Sequence, residues 1–161
     1  MTRIAQHLRF ERGMEAAIRF YTSLIPGSEV SWISAIPADT PSGPAGSVRV
    51  AAFNLGDQRY KAIEAGPLDP FNHSFSVMVE CDDHAGIDRL WAALLEGGAP
   101  ERCGWLRDRW GLCWQITPRR LGEPMRDPDR EKARRVTEAT LGMAKLDLAA
   151  LEAYPYGQGR G

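Results

Sequence analysis

Hydrophobic positions in the first part of the chain recur with two different periods, and each period predicts one kind of element. Residues 4–10 alternate between apolar and polar, as in a β-strand. From Met14 to Ile25 the apolar residues recur every three or four positions, which predicts a helix that Pro26-Gly27 ends. Three further strands complete a β-α-β-β-β unit, at residues 29–36, 47–55 and 58–64.

The same order of elements begins again after residues 66–70, where Gly and Pro break the chain. Asp82 or Asp83 can cap the N-terminus of a second helix, and Gly97-Gly98 ends it. Two similar halves of this kind indicate a duplicated module rather than two independent domains. In the second half we predict strands at residues 73–80, 102–108 and 112–117, a helix between the first two, and one more short strand within 99–102.

After Pro118 the pattern becomes helical. Asp127-Pro128 has the form of an N-cap followed by proline at the first helical position, and a last short helix is predicted at residues 147–153. The apolar stripe of the longer helix consists of Ala133, Val136, Thr137, Thr140 and Leu141. The predicted organisation is therefore a single domain of residues 1–161, with module one at about 1–66, module two at about 71–118 and a C-terminal helical extension at about 119–156.

Composition narrows the classes of function. The chain of 161 residues has a net charge of −1, which gives no electrostatic footprint for nucleic acid or an anionic membrane. No apolar run approaches the length of a membrane span. The three cysteines are an odd number without C-x-x-C spacing, so we expect neither a disulfide framework nor structural zinc, but a reducing cytoplasm. They are Cys81, Cys103 and Cys113.

Two stretches carry a resemblance to a known family: LRFERGMEAAIRFYTSLIPGSEV at residues 8–30 and CGWLRDRWGLCWQITP at residues 103–118. Together with GSVRVAAFNLGDQRYKAIEAGP and GMAKLDLAALEAY, they resemble the PhnB-like family, often labelled 3-demethylubiquinone-9 3-methyltransferase, of the vicinal-oxygen-chelate (glyoxalase, bleomycin-resistance and dioxygenase) superfamily. The resemblance implies an α+β fold, in which paired β-α-β-β-β modules form a cup, with C-terminal helices after them. It also implies a homodimer, in which modules can be exchanged between subunits.

The methyltransferase label lacks support from the sequence. S-adenosylmethionine usually binds at a glycine-rich turn between a strand and a helix. Here Gly97-Gly98 follows a helix, and the glycines of residues 43–46 lie in a proline-rich loop. We therefore expect no nucleotide cofactor, and methyl transfer is the weakest of three candidate functions.

Metal-dependent members of the superfamily hold one divalent ion with a side chain from each of four strands. The resemblance places Glu64 and Gln115 at two such positions and His73 and His7 near the other two. Strand parity agrees for Gln115, because Trp114 on the other face is expected to pack against the second helix. The implied cofactor is zinc, nickel, manganese or iron, which would polarise adjacent oxygens of a substrate. For each ligand an ordinary role, as a rim residue, a hydrogen-bonding residue or a cap, remains the alternative.

Two functions stay open beside the methyltransferase. One is a metal-assisted lyase, isomerase or dioxygenase acting on a small oxygenated substrate, whose catalytic residues the sequence does not identify. The other is a metal-free dimeric protein that binds a small molecule in its cup, as bleomycin-resistance relatives do. The side chains expected to line that cup are Tyr60, Phe75, Cys113, Thr117 and Trp32.

Overall fold

The structure is a computed structural model that describes residues 1–67 and 69–153. It contains two compact units, Met1–Pro70 and Phe71–Gly161. Each unit has one four-stranded sheet built in the order β-α-β-β-β, and the second unit adds helices at its C-terminal end. The predicted α+β fold of paired modules is therefore confirmed. None of the described helices is both long enough and apolar enough to cross a membrane.

The first unit packs one helix on one face of its sheet. The helix begins after Gly13, whose φ of 75° is a left-handed conformation that glycine adopts without steric cost. Its fully buried side chains are those of the predicted apolar stripe, among them Met14, Ile18 and Tyr21. The elements are β1 (Gln6–Phe10), α1 (Met14–Leu24), β2 (Glu29–Ala35), β3 (Arg49–Leu55) and β4 (Gln58–Glu64), and the sheet order is β1-β4-β3-β2.

The second unit repeats this arrangement. Asp83 is the N-cap of its helix, because its side chain accepts a hydrogen bond from the Gly86 backbone N–H at 2.7 Å. The helix buries Ile87, Leu90, Trp91 and Leu94 against the sheet. The elements are β5 (Val77–Cys81), α2 (His84–Leu95), β6 (Ala99–Pro100), β7 (Trp105–Arg107) and β8 (Cys113–Pro118), and the sheet order is β5-β8-β7-β6.

The C-terminal extension belongs to the second unit and is joined to it by backbone hydrogen bonds. Cys103 and Gly104 donate their N–H groups to the carbonyls of Met143 and Ala144, both at 2.7 Å. Gly104 has a φ of 79°, and a Cβ atom there would lie 2.7 Å from the Ile116 carbonyl oxygen and 3.1 Å from the side chain of the fully buried Leu146, so this close packing requires glycine. The helices of the extension are α3 (Gly122–Met125), α4 (Arg130–Gly142) and α5 (Leu148–Ala153). Residues 154–156 of the predicted extension lie outside the described residues.

The predicted start of the fifth strand is wrong. His73 lies in a turn, and both it and Phe75 precede β5, which begins at Val77. The cause is local, because the Asn72 side chain accepts a hydrogen bond from the Ser74 N–H at 2.8 Å and closes a turn that competes with the strand.

The predicted N-cap of the longer C-terminal helix is also wrong. Asp129 caps α4, since its carboxylate accepts hydrogen bonds from the N–H groups of Glu131 and Lys132 at 3.1 and 3.2 Å. Asp127 instead accepts from the Asp129 N–H at 2.9 Å and pairs with Lys132 at 2.7 Å. The helix therefore starts two residues later than Asp127-Pro128 indicates, because a second aspartate after the proline offers the better cap.

Candidate functional site

A cavity of about 350 Å³ lies within the second unit, between its sheet and the C-terminal extension. This volume is within the range of about 300–1,000 Å³ that is usual for small-molecule sites. The sheet supplies Met78, Glu80, Trp105, Gln115, Thr117 and Pro118, the turn before β7 supplies Cys103, and the extension supplies Leu121, Gly122, Met125, Thr137, Thr140 and Leu141.

Strand alternation explains which sheet residues reach the cavity. Leu106 and Trp114 are fully buried, and they face α2. The residues next to them along each strand point to the opposite face. On that face Gln115 of β8 lies beside Trp105 of β7 and Met78 of β5 in the strand pairing. Two residues further along β8, Thr117 lies beside Glu80 of β5.

The extension is held in place at points outside the cavity. Lys145 forms an ion pair with Asp88 on α2, in addition to the backbone hydrogen bonds at Met143 and Ala144. Val136, Leu146 and Leu151 form a small core beneath α4. The wall that α4 presents to the cavity is thus anchored mainly by residues that do not line it; of the residues that make these contacts, only Cys103 also lines the cavity.

Most polar groups around the cavity are already hydrogen-bonded within the protein. Gln115 donates from Nε2 to Ser76 Oγ at 2.8 Å, and the hydroxyls of Thr137 and Thr140 donate to carbonyls of their own helix at 2.9 Å. Glu80 differs: among the described residues its carboxylate makes no ion pair and accepts no side-chain hydrogen bond. The site is an apolar pocket with one uncommitted carboxylate at its wall.

Glu64 lies on the helix side of the first sheet. Its Oε2 accepts a hydrogen bond from the Met14 backbone N–H at 2.8 Å, where α1 begins and where a carboxylate is favoured by the helix dipole. Tyr60 shares this face, is 5% exposed and stacks on Phe53 with ring centroids 5.2 Å apart. Burial raises the pKa of the Tyr60 phenol. Tyr60 is therefore part of the core between the sheet and α1.

His7 and Trp32 lie on the opposite face of the first sheet. Backbone pairing places them at the two ends of one row, His7–Lys61–Ala52–Trp32. The Trp32 side chain is 47% exposed, so this face carries a large aromatic surface that no described residue covers completely.

His73 forms a cluster with Glu101 and Arg107 in the second unit. Its Nε2 lies 2.7 Å from Glu101 Oε2, and its Nδ1 lies 3.3 Å from the Arg107 guanidinium, which also donates from Nε to Glu101 Oε1 at 3.0 Å. Burial opposes ionisation of Glu101, but the hydrogen bonds from His73 and Arg107 outweigh it and lower the pKa of the carboxyl. Both ring nitrogens of His73 thus have partners within the protein. Phe75 nearby in sequence is 37% exposed.

Cys113 is fully buried, and burial raises the pKa of its thiol. A buried thiol whose ionisation is suppressed is a poor nucleophile, because the thiolate is the reactive form. Cys113 is therefore a small buried residue on the same face of β8 as Gln115 and Thr117, but only Gln115 and Thr117 line the cavity.

Three of the four predicted metal ligands, Glu64, Gln115 and His73, already have hydrogen-bond partners within their own units. Glu64 caps α1, and His73 is held by Glu101 and Arg107. Within residues 1–67 and 69–153, no group of three or more His, Cys, Asp or Glu side chains could hold a metal ion. The ligand set of Glu64, Gln115, His73 and His7 draws on both units and stays a prediction.

Sequence reasoning missed the role of Asp108. Its buried carboxylate accepts hydrogen bonds from the N–H groups of Trp110 and Leu112 and from Trp114 Nε1, at 2.9, 3.1 and 2.9 Å. Asp108 thereby fastens the β7–β8 turn to the core tryptophan. The signal was an aspartate two residues before Trp110-Gly111, which is the spacing of an Asx turn.

Comparisons with known proteins agree with this architecture. The model of the family described as 3-demethylubiquinone-9 3-methyltransferase matches residues 2–117. A solved structure described as a putative 3-demethylubiquinone-9 3-methyltransferase, PhnB protein, from Bacillus cereus is 31% identical, with a TM-score of 0.63, and the match covers 73% of this chain and 99% of that one. A comparison with curated proteins found no match.

Two solved structures of known activity are similar in fold alone. The fosfomycin resistance protein FosX from Mesorhizobium loti is 13% identical with a TM-score of 0.50, over 72% of this chain and 90% of that one. The trypanothione-dependent glyoxalase I of Leishmania major is also 13% identical with a TM-score of 0.50, over 86% of this chain and 97% of that one. The family match ends at residue 117, so the extension that walls the cavity lies beyond it.

Proposed function

This chain belongs to the family described as 3-demethylubiquinone-9 3-methyltransferase, the PhnB-like group with the glyoxalase and bleomycin-resistance fold, and on that premise we propose that it is a metal-free protein that binds a small apolar molecule in the cavity of its second unit. The observation that carries the proposal is the cavity of about 350 Å³, which one unit forms from its own sheet and its own extension. Its lining combines apolar side chains of Met, Leu, Trp and Pro with a few polar ones, as is usual for a small-molecule site.

The contacts of the predicted ligands support binding over metal-assisted catalysis. A metal site needs donors that converge on one point and are not committed to other partners. Glu64 accepts a hydrogen bond from the first N–H group of α1, and both ring nitrogens of His73 have hydrogen-bonding partners. Methyl transfer has no support from the described residues beyond the family label. The metal-assisted enzyme, with Glu64, Gln115, His73 and His7 as ligands, is the alternative that the experiment must exclude.

Binding can be measured with N-phenyl-1-naphthylamine, a neutral apolar dye whose fluorescence rises when it leaves water. We expect saturable binding of one dye per chain. Thr137→Trp should abolish it, because Thr137 faces the cavity and the larger ring would fill the space. Arg135→Trp is the matched control, since it adds the same ring to the exposed side of the same helix and should bind the dye normally. Equal binding by Thr137→Trp and Arg135→Trp would contradict the proposed site.

Metal content decides the alternative. Protein purified without chelator should contain no stoichiometric zinc, nickel, manganese or iron, and dye binding should be the same after dialysis against a chelator. Stoichiometric metal that disappears in Glu64→Ala would overturn the metal-free proposal in favour of the metal-assisted enzyme. Glu11→Ala is the control, because this exposed carboxylate pairs with Arg12 on the surface and caps no helix.

We also propose that the protein is a cytoplasmic homodimer. The first sheet leaves Trp32 47% exposed on the face opposite α1, and a second copy of the chain would bury it. All three cysteines are free, in keeping with a reducing compartment. Light scattering should report twice the chain mass at micromolar concentration, and Trp32→Glu should shift the protein toward monomer. A wild-type monomer under these conditions would contradict the dimer.

A further inference from the structure

We infer that the cavity of the second unit selects apolar molecules that carry one positive charge, with Glu80 as the group that recognises the charge. This inference rests on the proposed function, because it names the class of ligand for the same cavity. Glu80 is the only charged side chain among the lining residues of the described chain, and no Lys, Arg or His is among them.

The charge of Glu80 is available to a ligand. Its carboxylate makes no ion pair within the described part of the chain. The cation that follows β8, Arg119, pairs instead with Asp82 at 3.1 Å. A carboxylate next to an apolar pocket attracts a cationic group and repels an anion, and the attraction strengthens as a bound ligand excludes water. An organic anion is thereby disfavoured, and a neutral molecule can gain at most a hydrogen bond to Glu80, without the attraction between opposite charges.

The position of Glu80 also indicates the shape of the ligand. Glu80 is on β5, whereas Trp105 is two strands away on β7, and backbone pairing offsets them by two residues. With strands about 4.8 Å apart and a rise of about 3.3 Å per residue, their Cα atoms are roughly 12 Å apart. An ammonium group at Glu80 therefore leaves room for a flat hydrocarbon body between it and Trp105.

The side chains between these two points suit such a body. Met78 and Gln115 form the sheet side of the pocket, and Met125 and Leu141 come from the extension. Methionine side chains are flexible and polarisable, and they pack well against aromatic rings of varied shape. Trp105 can stack with a flat ring, and its face attracts positive charge. The ligand class is thus an arylalkylamine, whose alkylamine nitrogen is protonated at neutral pH, with a single aromatic ring system.

Three naphthalene compounds of nearly identical size separate charge from shape: 1-naphthylmethylamine, 1-naphthylmethanol and 1-naphthoate. Each is titrated against protein loaded with N-phenyl-1-naphthylamine, and the concentration that displaces half of the dye is measured at pH 7. We expect the amine to act at roughly tenfold lower concentration than the alcohol, which is the size of a charge-assisted hydrogen bond at a partly exposed site, and the naphthoate to be weaker than both.

Glu80→Gln keeps the shape of the side chain and removes its charge. In this variant the amine should lose its advantage, while the alcohol displaces the dye as before. Glu96→Gln is the control, because Glu96 is an exposed carboxylate of the same unit that does not line the cavity, and it should leave the order of the three compounds unchanged.

The outcomes separate the two proposals. Equal displacement by amine and alcohol, or a preference for the amine that survives in Glu80→Gln, would refute charge selection while leaving small-molecule binding intact. A wild-type protein that binds neither the dye nor any of the three compounds would overturn the proposed function, and the ligand class with it.

Discussion

Trp114 is the side chain whose removal should cost the second unit most. It is fully buried on the α2 face of β8, and its Nε1 donates a hydrogen bond to Asp108 Oδ2 at 2.9 Å. The next residue, Gln115, points to the other face and lines the cavity. Trp114→Ala and Gln115→Ala therefore remove neighbouring side chains from two different environments, so their comparison tests the assignment of the two faces.

The expected losses differ several-fold. Replacing a buried tryptophan by alanine costs about 3–5 kcal/mol. The lost donor to the Asp108 carboxylate adds about 1 kcal/mol, since its other two N–H donors remain. The sum of about 4–6 kcal/mol is a large part of the ~5–15 kcal/mol that stabilises a typical protein. Gln115→Ala loses one partly buried hydrogen bond, to Ser76, and should cost about 1 kcal/mol.

Urea unfolding followed by circular dichroism measures both losses. A third variant, Trp114→Phe, keeps a ring in the core but removes the Nε1 donor, so it should cost about 1.5–3 kcal/mol. When Asp108 is already replaced by Asn, Trp114→Phe should lower the free energy of unfolding by less, because the buried charge that Nε1 bonds to is gone. Similar losses for Trp114→Ala and Gln115→Ala would refute the assignment of faces. If Trp114→Phe lowers the free energy of unfolding equally with and without Asp108→Asn, the coupling between Trp114 and Asp108 is refuted.

Two further predictions follow from burial and charge. Cys103 is half-buried in the cavity wall, so it should react with iodoacetamide more slowly when N-phenyl-1-naphthylamine is bound. The fully buried Cys113 should react only after unfolding. Mass spectrometry of the modified peptides measures both reactions, and protection of Cys113 alone by the dye would contradict the site. The pKa of Glu101 is lowered in the folded protein, so the unfolded chain binds more protons at this residue as the pH falls. The stability that Glu101 contributes is therefore present above the ordinary carboxyl pKa of about 4.3. It is lost as the pH falls through the lower pKa of the folded state. Melting temperatures between pH 6 and pH 3 should therefore fall more steeply for the wild type than for Glu101→Gln, and parallel curves would show that His73 and Arg107 do not favour its ionised form.

Local sequence determined much of the fold. The stripe from Met14 to Tyr21 and its counterpart in α2 are buried as their helical period predicts. A helix with one apolar face packs that face against the rest of the protein, because this removes it from water. Asp83, one of the two caps that the sequence allowed, caps α2, since a cap depends on residues three positions apart. Where two local signals competed, as at Asn72 before β5 and at Asp127 and Asp129 before α4, the sequence alone did not show which would win.

The candidate site depended on contacts between distant residues. Parity along β4 made Glu64 and Tyr60 face the same side, but only the packing of α1 showed that this is the helix side, where Glu64 meets Met14 fifty residues away. Likewise the cavity of the second unit needs α4 to return over the sheet, and the hydrogen bonds of Cys103 and Gly104 to the extension hold it there. The period of the hydrophobic residues along a segment indicates which of its faces is buried and which is exposed to water. Which partner covers each face is a property of the tertiary structure, because segments far apart in the chain must pack together to decide it.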